Sequence, residues 1–497
     1  MRPFGFEHSY ARELSGAYIA CRPNQVPAPR LLFLNEPLAA ELGLDAAALR
    51  AEAAFFAGNE LPGDAEPIAQ AYAGHQFGGF SPQLGDGRAL LLGEIVDRRG
   101  RRRDLAFKGS GRTPFSRGGD GKAVVGPMLR EALIGEAMQA LGIPTTRALA
   151  VAATGEPVRR EGPQPGAVLT RVAASHLRVG TFQFFAARGD RAMLQRLLDY
   201  TIARHDPELA GTADPALGLL RAVAARQAEL VASWVLVGFI HGVMNTDNMA
   251  LSGETIDYGP CAFIESYDPQ AVFSSIDHGG RYAYGAQPSM ARWNLARFAE
   301  TLLPLMADDE DEAAIAAAVT RALAVIDEFP DRCDAALLRG RRAKLGLGGS
   351  TSADDAADHE LIDAWLALLE AQAVDYTLAW RGLADAAEGR DEALLALFAD
   401  APAAARWLAR WRERCERDGL AASERARRMR LVNPRIIPRN HRVEEALAAA
   451  TDHGDIAPFE RLLAALRRPW DDAVELEAYA EPAPREITAG YRTYCGT

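Results

Sequence analysis

The chain has 497 residues, 48% apolar and 25% charged, with 67 acidic against 55 basic side chains and a net charge of −12. That length fits a globular protein of two or three domains, and the acidic balance excludes a global basic field of the kind that binds nucleic acid. Five scattered cysteines (Cys21, Cys261, Cys333, Cys415 and Cys495) lack metal or CxxC spacing, the N-terminus has no apolar core for a signal peptide, and the most apolar run, 231–240, is half a membrane span, so a cytoplasmic enzyme is expected.

Residues 1–165 are rich in Gly, Pro and short apolar runs, whereas 166–465 are dominated by Ala/Leu/Arg segments with helical spacing, and 466–497 read as an irregular tail. Taken in chain order, 88–95 and 104–107 are predicted as two strands joined by the polar turn 97–103, whose arginines form a solvated hairpin tip. The second strand delivers Lys108. A Gly-rich stretch follows to residue 126, then a helix over 127–141, started by Pro127 and stopped by Gly142. On its wheel Leu129, Leu133, Ile134, Ala137, Met138 and Leu141 make the apolar arc, and Glu131 and Glu136 lie on opposite edges. Either carboxylate can turn inward. Residues 167–172 read as a strand, and 191–204 and 217–240 as helices, the second running into the segment at His241. Further helices are predicted over 313–326, 360–378, 403–415 and 443–449.

The richest stretch is HGVMNTDNM at 241–249, followed after a Ser252-Gly253 turn by IDYG at 256–259. Asn248 and Asp257 stand nine apart, the layout that kinase-like enzymes use to hold Mg²⁺ on nucleotide phosphates, with Asp247 left to accept a hydroxyl proton. A small-molecule kinase of this type carries an Asp at the position of Val243. A capped turn built of Asn and Asp is the competing reading. His241 is expected to brace the loop.

Lys108 can reach a phosphate and pair with a helix carboxylate. The loops QLGDGRA at 83–89 and SRGGDGKA at 116–123 place Gly85, Gly87, Gly119 and Gly121 where backbone N–H groups could approach phosphates, although tight turns use the same residues and neither loop is a Walker A motif. Arg171 and Arg178 are guanidinium forks suited to polyphosphate, with surface ion pairing as the alternative. His75 reads either as a buried, hydrogen-bonded histidine or as a substrate contact. Cys495 is a candidate redox handle or a plain exposed thiol.

Together YAGHQFG at 72–78, QLGDGRA at 83–89, FKGSGRTPFSRGGDGKA at 107–123, LGIPTTRAL at 141–149 and HGVMNTDNM with TIDYGPCAF across 241–263 resemble the selenoprotein O family of protein adenylyltransferases, over essentially the whole chain. The resemblance implies an α+β, protein-kinase-like bilobal fold, with a mixed N-lobe and a larger, mainly helical C-lobe. It also implies ATP bound in a flipped orientation, so that AMP moves to a Ser, Thr or Tyr hydroxyl of a protein; this accounts for Val243. Carried onto matching positions, Lys108 contacts phosphate and pairs with Glu131, a choice over Glu136 that only the resemblance makes. Gly85, Gly87, Arg88, Asp120, Gly121, Arg171, Arg178 and Asp257 line the nucleotide, Asp247 is the proton acceptor, and Asn248 and Asp257 hold Mg²⁺ or Mn²⁺. Family members carry a C-terminal selenocysteine or cysteine, held in some to pair with an activation-loop cysteine. Here Cys495 keeps the tail thiol, but the segment after TIDYG has only Cys261, beside the metal Asp. A monomer acting on protein substrates, without nucleic acid or membrane, is expected. The competing functions are a kinase-like phosphotransferase, uridylyl transfer from UTP with Mn²⁺, and a non-catalytic pseudokinase scaffold.

Overall fold

The computed structural model describes residues 4–307, 311–349, 351–488 and 490–494. One large sheet runs in the order Tyr18–Ala20, Ile68–Gln70, Ala89–Val96, Arg102–Lys108, Pro163–Ala173, Arg147–Arg159, Arg30–Leu34, with antiparallel pairing throughout. The two-residue strand Ala123–Val124 also pairs with Pro163–Ala173. From Val179 onward helices dominate, so the architecture is mixed α and β with an antiparallel sheet. Strand Ala89–Val96 is buried at seven of its eight positions, as a strand covered on both faces must be.

The predicted hairpin is present as Ala89–Val96 and Arg102–Lys108, but its tip is stitched down as well as solvated. Asp97 accepts from the backbone of Arg99 and Arg101 at 2.9 Å each, and Arg102 reaches Glu7. The strand predicted over 167–172 is the core of Pro163–Ala173, and its long partner Arg147–Arg159 was not foreseen, because its alanines carry no clear β signal.

The helix predicted over 127–141 spans Val125–Ala140 and is followed by Gly142 at φ +78, the left-handed conformation that stops a helix. It is sandwiched between the sheet and helices Asn440–Asp452 and Ala457–Leu466, so both its glutamates are buried. Helix Pro215–Val237 starts at Asp214, whose side chain accepts from Leu217 N at 3.1 Å, and stops at Gly238 with φ +79. The expected continuation to 240 is therefore wrong. Phe239–Ile240 instead forms a short strand paired with Ala262–Phe263, and this pair cinches the base of the 241–261 loop.

The single helix expected over 360–378 is two, Asp355–Ala371 and Tyr376–Ala387. They are broken at Ala373, with φ +48, and the second is restarted by Asp375, which caps Leu378 N at 2.7 Å. The last thirty residues also depart from an irregular surface tail. Glu477–Ala480 and Arg485–Thr488 are helical, and buried Thr493 donates to Pro260 O at 2.8 Å. Among the described residues no helix is long and apolar enough to cross a membrane.

Candidate nucleotide site

Strand register builds the first half of the site. Lys108 lies opposite Leu169 and Arg171 opposite Ala106, so the two cations project from the same face of adjacent strands as diagonal neighbours. The helix Val125–Ala140 covers that face and supplies Glu131. Lys108 Nζ donates to Glu131 Oε2 at 2.5 Å and to Asp257 Oδ1 at 2.6 Å, and Arg171 Nη1 donates to the same two acids at 3.3 and 2.7 Å. Lys108, Glu131 and Arg171 side chains are all less than a tenth exposed. Surface ion pairing is thereby excluded for Arg171 and, because it is buried too, for Arg178.

Glu136 points the other way. It takes Arg147 at 2.7 Å and Arg467 at 2.8 Å, so geometry separates the two carboxylates that periodicity left equal, and neither is a solvated rim residue.

The second half is the cinched loop. His241 braces it as expected, its Nε2 2.9 Å from Ile256 O. Asp257 sits at φ +62, an unusual conformation for a residue with a Cβ, and its carboxylate turns to Lys108 and Arg171. Burial pushes this carboxyl up, but Lys108, Arg171 and Arg178 outweigh burial and hold it well below the usual range. It is an anion at any physiological pH. Asp247 is the opposite case: burial dominates and raises it to about 6, Arg178 only partly opposing.

Two buried atoms at this place have no hydrogen-bond partner, Asp247 Oδ1 and Arg178 Nη2. Arg178 otherwise donates to His176 O at 3.2 Å and Asp247 O at 3.3 Å, and stacks on the Tyr72 ring at 4.5 Å. A buried acceptor and a buried guanidinium N–H left over in one site are what a phosphate and a hydroxyl would satisfy.

The donor set also fits a hard divalent cation. Asp257 is anionic, and Asn248 donates its amide N–H to Val243 O at 3.1 Å, leaving its Oδ1 with no hydrogen bond among the described residues. Two protein oxygens are few, but Mg²⁺ characteristically completes its shell with phosphate and water.

The glycine loops support the site from outside. A Cβ at Gly85 would fall 2.3 Å from the Phe115 ring, and one at Gly121 2.1 Å from Gly111 O, both at positive φ, so close packing between the two loops already requires these glycines. At Gly87 the nearest atom, Phe115 O, would be 3.0 Å away. Gly121→Ala is expected to cost about 2 kcal/mol or more, read as a lowered urea midpoint with unchanged m-value. Arg88 is half-buried, and its carbonyl accepts from Gly109 N at 2.7 Å. Asp120 is exposed and engaged by Arg160 at 2.9 Å. Cys495 lies outside the described residues. Buried Cys261 has its thiol pushed up to about 12 by burial, which leaves it unreactive at neutral pH.

Several residues that shape the site were passed over in the sequence. Asp86, between Gly85 and Gly87, is buried, and burial raises it to about 6 while Arg178 and Arg171 oppose. Its position inside a glycine pair was the available signal. His176 accepts from Arg171 Nε at 3.2 Å on Nε2, so its Nδ1 carries the proton donated to Asp104 Oδ2 at 3.0 Å. His75 is half-buried, its Nδ1 bonded to Gln183 at 2.8 Å, and its backbone N–H donates to Thr246 Oγ1 at 2.7 Å. Gln76 Nε2 donates to Asp247 Oδ2 at 3.2 Å. The hairpin of strands Gly74–Gln76 and Gly79–Ser81 thus lies directly on the Asp247 loop.

A family model described as "Protein adenylyltransferase SelO" matches residues 4–467. The chain belongs to the SelO family. Among its relatives, the protein nucleotidyltransferase YdiU of Chromobacterium violaceum is 60% identical over 483 residues, covering 97% of this chain and 99% of that protein. YdiU of Cereibacter sphaeroides is 59% identical over 496 residues, covering 99% and 100%, and that of Rhizobium etli 55% identical over 497, covering 99% and 97%. As a SelO member the chain is a nucleotidyltransferase.

Asp247 gives a signed pH expectation. Were it a proton acceptor, its working form would be the anion, and because burial raises it, that anion is present above about 6 and lost as pH falls through that value. Transfer at subsaturating substrate should drop about tenfold per pH unit below it and level off above. A profile with no limb between pH 5 and 7 would remove Asp247 from the proton-accepting role.

Proposed function

We propose that this protein transfers AMP from ATP to Ser, Thr or Tyr hydroxyls of other proteins, with Mg²⁺ or Mn²⁺, on a kinase-like bilobal scaffold that holds ATP in the flipped orientation. The observation that carries the reading is the pair of partnerless buried atoms, Arg178 Nη2 and Asp247 Oδ1, next to an anionic Asp257 already gripped by Lys108 and Arg171. Residues 1–165 are read as the N-lobe, 166–465 as the C-lobe and 466–497 as the tail.

In this reading Lys108, Arg171 and Arg178 offset triphosphate charge in a site largely screened from water, where such contacts are strong. Asn248 and Asp257 would hold the cation, which when bound would supply charge neutralisation on the phosphates. Asp247 takes the proton from the incoming hydroxyl. The hydroxyl oxygen bonds to the α-phosphorus, the bond from that phosphorus to the pyrophosphate oxygen breaks, and pyrophosphate leaves with the electron pair. Val243 is 7% exposed and apolar, so no carboxylate stands at the position where a small-molecule kinase keeps its base.

Parallel incubations with α-labelled and γ-labelled ATP test this directly. Protein-bound label from the α position alone is expected. Label from the γ position would establish the phosphotransferase alternative instead, and α-labelled UTP outcompeting α-labelled ATP would establish uridylyl transfer.

A further inference from the structure

The hairpin that lies on Asp247 turns an unusual face outward. Phe77 and Phe80 are 39% and 43% exposed, and Phe77 is held at φ +52, a conformation that costs a residue with a Cβ about 1 kcal/mol or more. The strain is fixed from below by the bond from Phe77 N to Asn245 Oδ1 at 3.1 Å. A phenylalanine kept strained and exposed by the catalytic loop itself is poorly explained by folding alone, because apolar exposure and strain both disfavour it.

The aromatic face continues beyond the hairpin. His75 lies between Phe80, tilted at 4.8 Å, and Trp293, edge-on at 5.2 Å, and Phe77 meets Tyr282 edge-on at 5.2 Å. Onto this face two guanidinium groups are laid: Arg281 and Arg297 lie 4.7 and 5.2 Å from the Trp293 ring centre. Arg297 is neutralised by Glu300 at 2.6 Å. Arg281 forms no salt bridge among the described residues. The nearby acid Asp277 spends one oxygen on Arg281 N at 2.9 Å and the other on Tyr282 N at 2.8 Å, both backbone groups. The Arg281 guanidinium instead lies against the hairpin turn, 3.8 Å from where a Cβ on Gly78 would be.

We propose that Phe77, Phe80, Trp293 and Arg281 form the docking platform for the acceptor protein, and that the platform selects an acidic segment flanking the modified hydroxyl. The proposal rests on Asp247 being the base, because a chain that brings a hydroxyl to Asp247 must pass the hairpin bonded to it through Gln76. Charge complementarity fixes the occupant. On a molecule of net charge −12, an acidic partner is repelled by the surface at large, and an unneutralised arginine beside the reacting position supplies a local landing point for it. The aromatic rings contribute rigid contact area at little entropic cost, as they do at the centres of protein interfaces.

The experiment uses the full chain with two peptides, one carrying a tyrosine flanked by Asp and Glu, the other the same tyrosine flanked by Lys and Arg. AMP release from ATP to water, without acceptor, is followed in parallel. The wild type is expected to favour the acidic peptide, with an acceptor KM that rises with salt. Arg281→Glu should raise the KM for the acidic peptide about tenfold and shift preference to the basic one, and Phe80→Ser should raise both, with the KM for ATP and the release of AMP to water unchanged in either variant. Equal KM values for both peptides in the wild type, or no change in preference on charge reversal, overturn the platform. If the wild type releases AMP but labels neither peptide, the platform falls while the nucleotide reading stands. If neither AMP nor labelled peptide forms, the assignment of Asp247 falls first and the platform with it.

Discussion

Asp257→Asn is expected to lower nucleotidyl transfer by about a thousandfold or more, because it takes charge from the carboxylate that faces Lys108 and Arg171 and that the proposed function assigns to the metal. Asn keeps the shape and, unlike Ala, is tolerated at the φ of +62 found here, so the effect reports charge and not backbone strain. The same change should cost stability. Lys108 and Arg171 would share only Glu131, and uncompensated charge in a largely buried cluster is worth about 3 kcal/mol or more. Urea denaturation checks the stability loss and titration with Mn²⁺ followed by water-proton relaxation checks the lost metal site. A variant that binds Mn²⁺ as the wild type does would remove Asp257 from the metal.

Asp247→Asn should behave differently. Transfer to protein is expected to fall about a hundred- to ten-thousandfold, the range for loss of a positioned base, while ATP affinity stays within a few-fold. The substitution is isosteric, which matters here: the side chain packs closely over Gly74, where an added Cβ would fall 2.6 Å from Asp247 Oδ1. Stability should hold or rise slightly, since burial already penalises the Asp247 anion and the amide carries no charge. The limb of the pH profile near 6 should vanish with the carboxylate. A variant of unchanged rate would assign the proton to another group.

The parts of this site that could be read from the sequence were those held by local chemistry. Lys108 at a strand end, the Gly-stopped helix behind it, and the His-Gly turn before Asn248 are each written within a few residues, and the structure places them as read, save that the helix begins at Val125, two residues before Pro127. What was not legible depends on tertiary contact. Glu131 and Glu136 are five residues apart on one helix, and only their partners distinguish their roles: Lys108 and Arg171 for the first, 23 and 40 positions away, and Arg147 and Arg467 for the second, 11 and 331 away. His176 becomes part of the site because Asp104, 72 residues earlier, sets which of its nitrogens accepts from Arg171. The strands before residue 88 are three to five residues long, too short for alternation to show, and the hairpin of strands Gly74–Gln76 and Gly79–Ser81 reads in isolation as a glycine-rich loop.

Arg467 reaches across the molecule to Asn35 Oδ1 at 2.9 Å and Glu136 Oε2 at 2.8 Å, beside a helix whose Phe459 packs edge-on against Phe33 at 5.5 Å. The helix that presents Glu131 to Lys108 is therefore clamped from behind by Arg467, 331 positions after the Glu136 it holds. A chain cut just before Arg467 would own every residue of the proposed centre yet lack the brace behind its glutamate, so a deletion far from the site should loosen it.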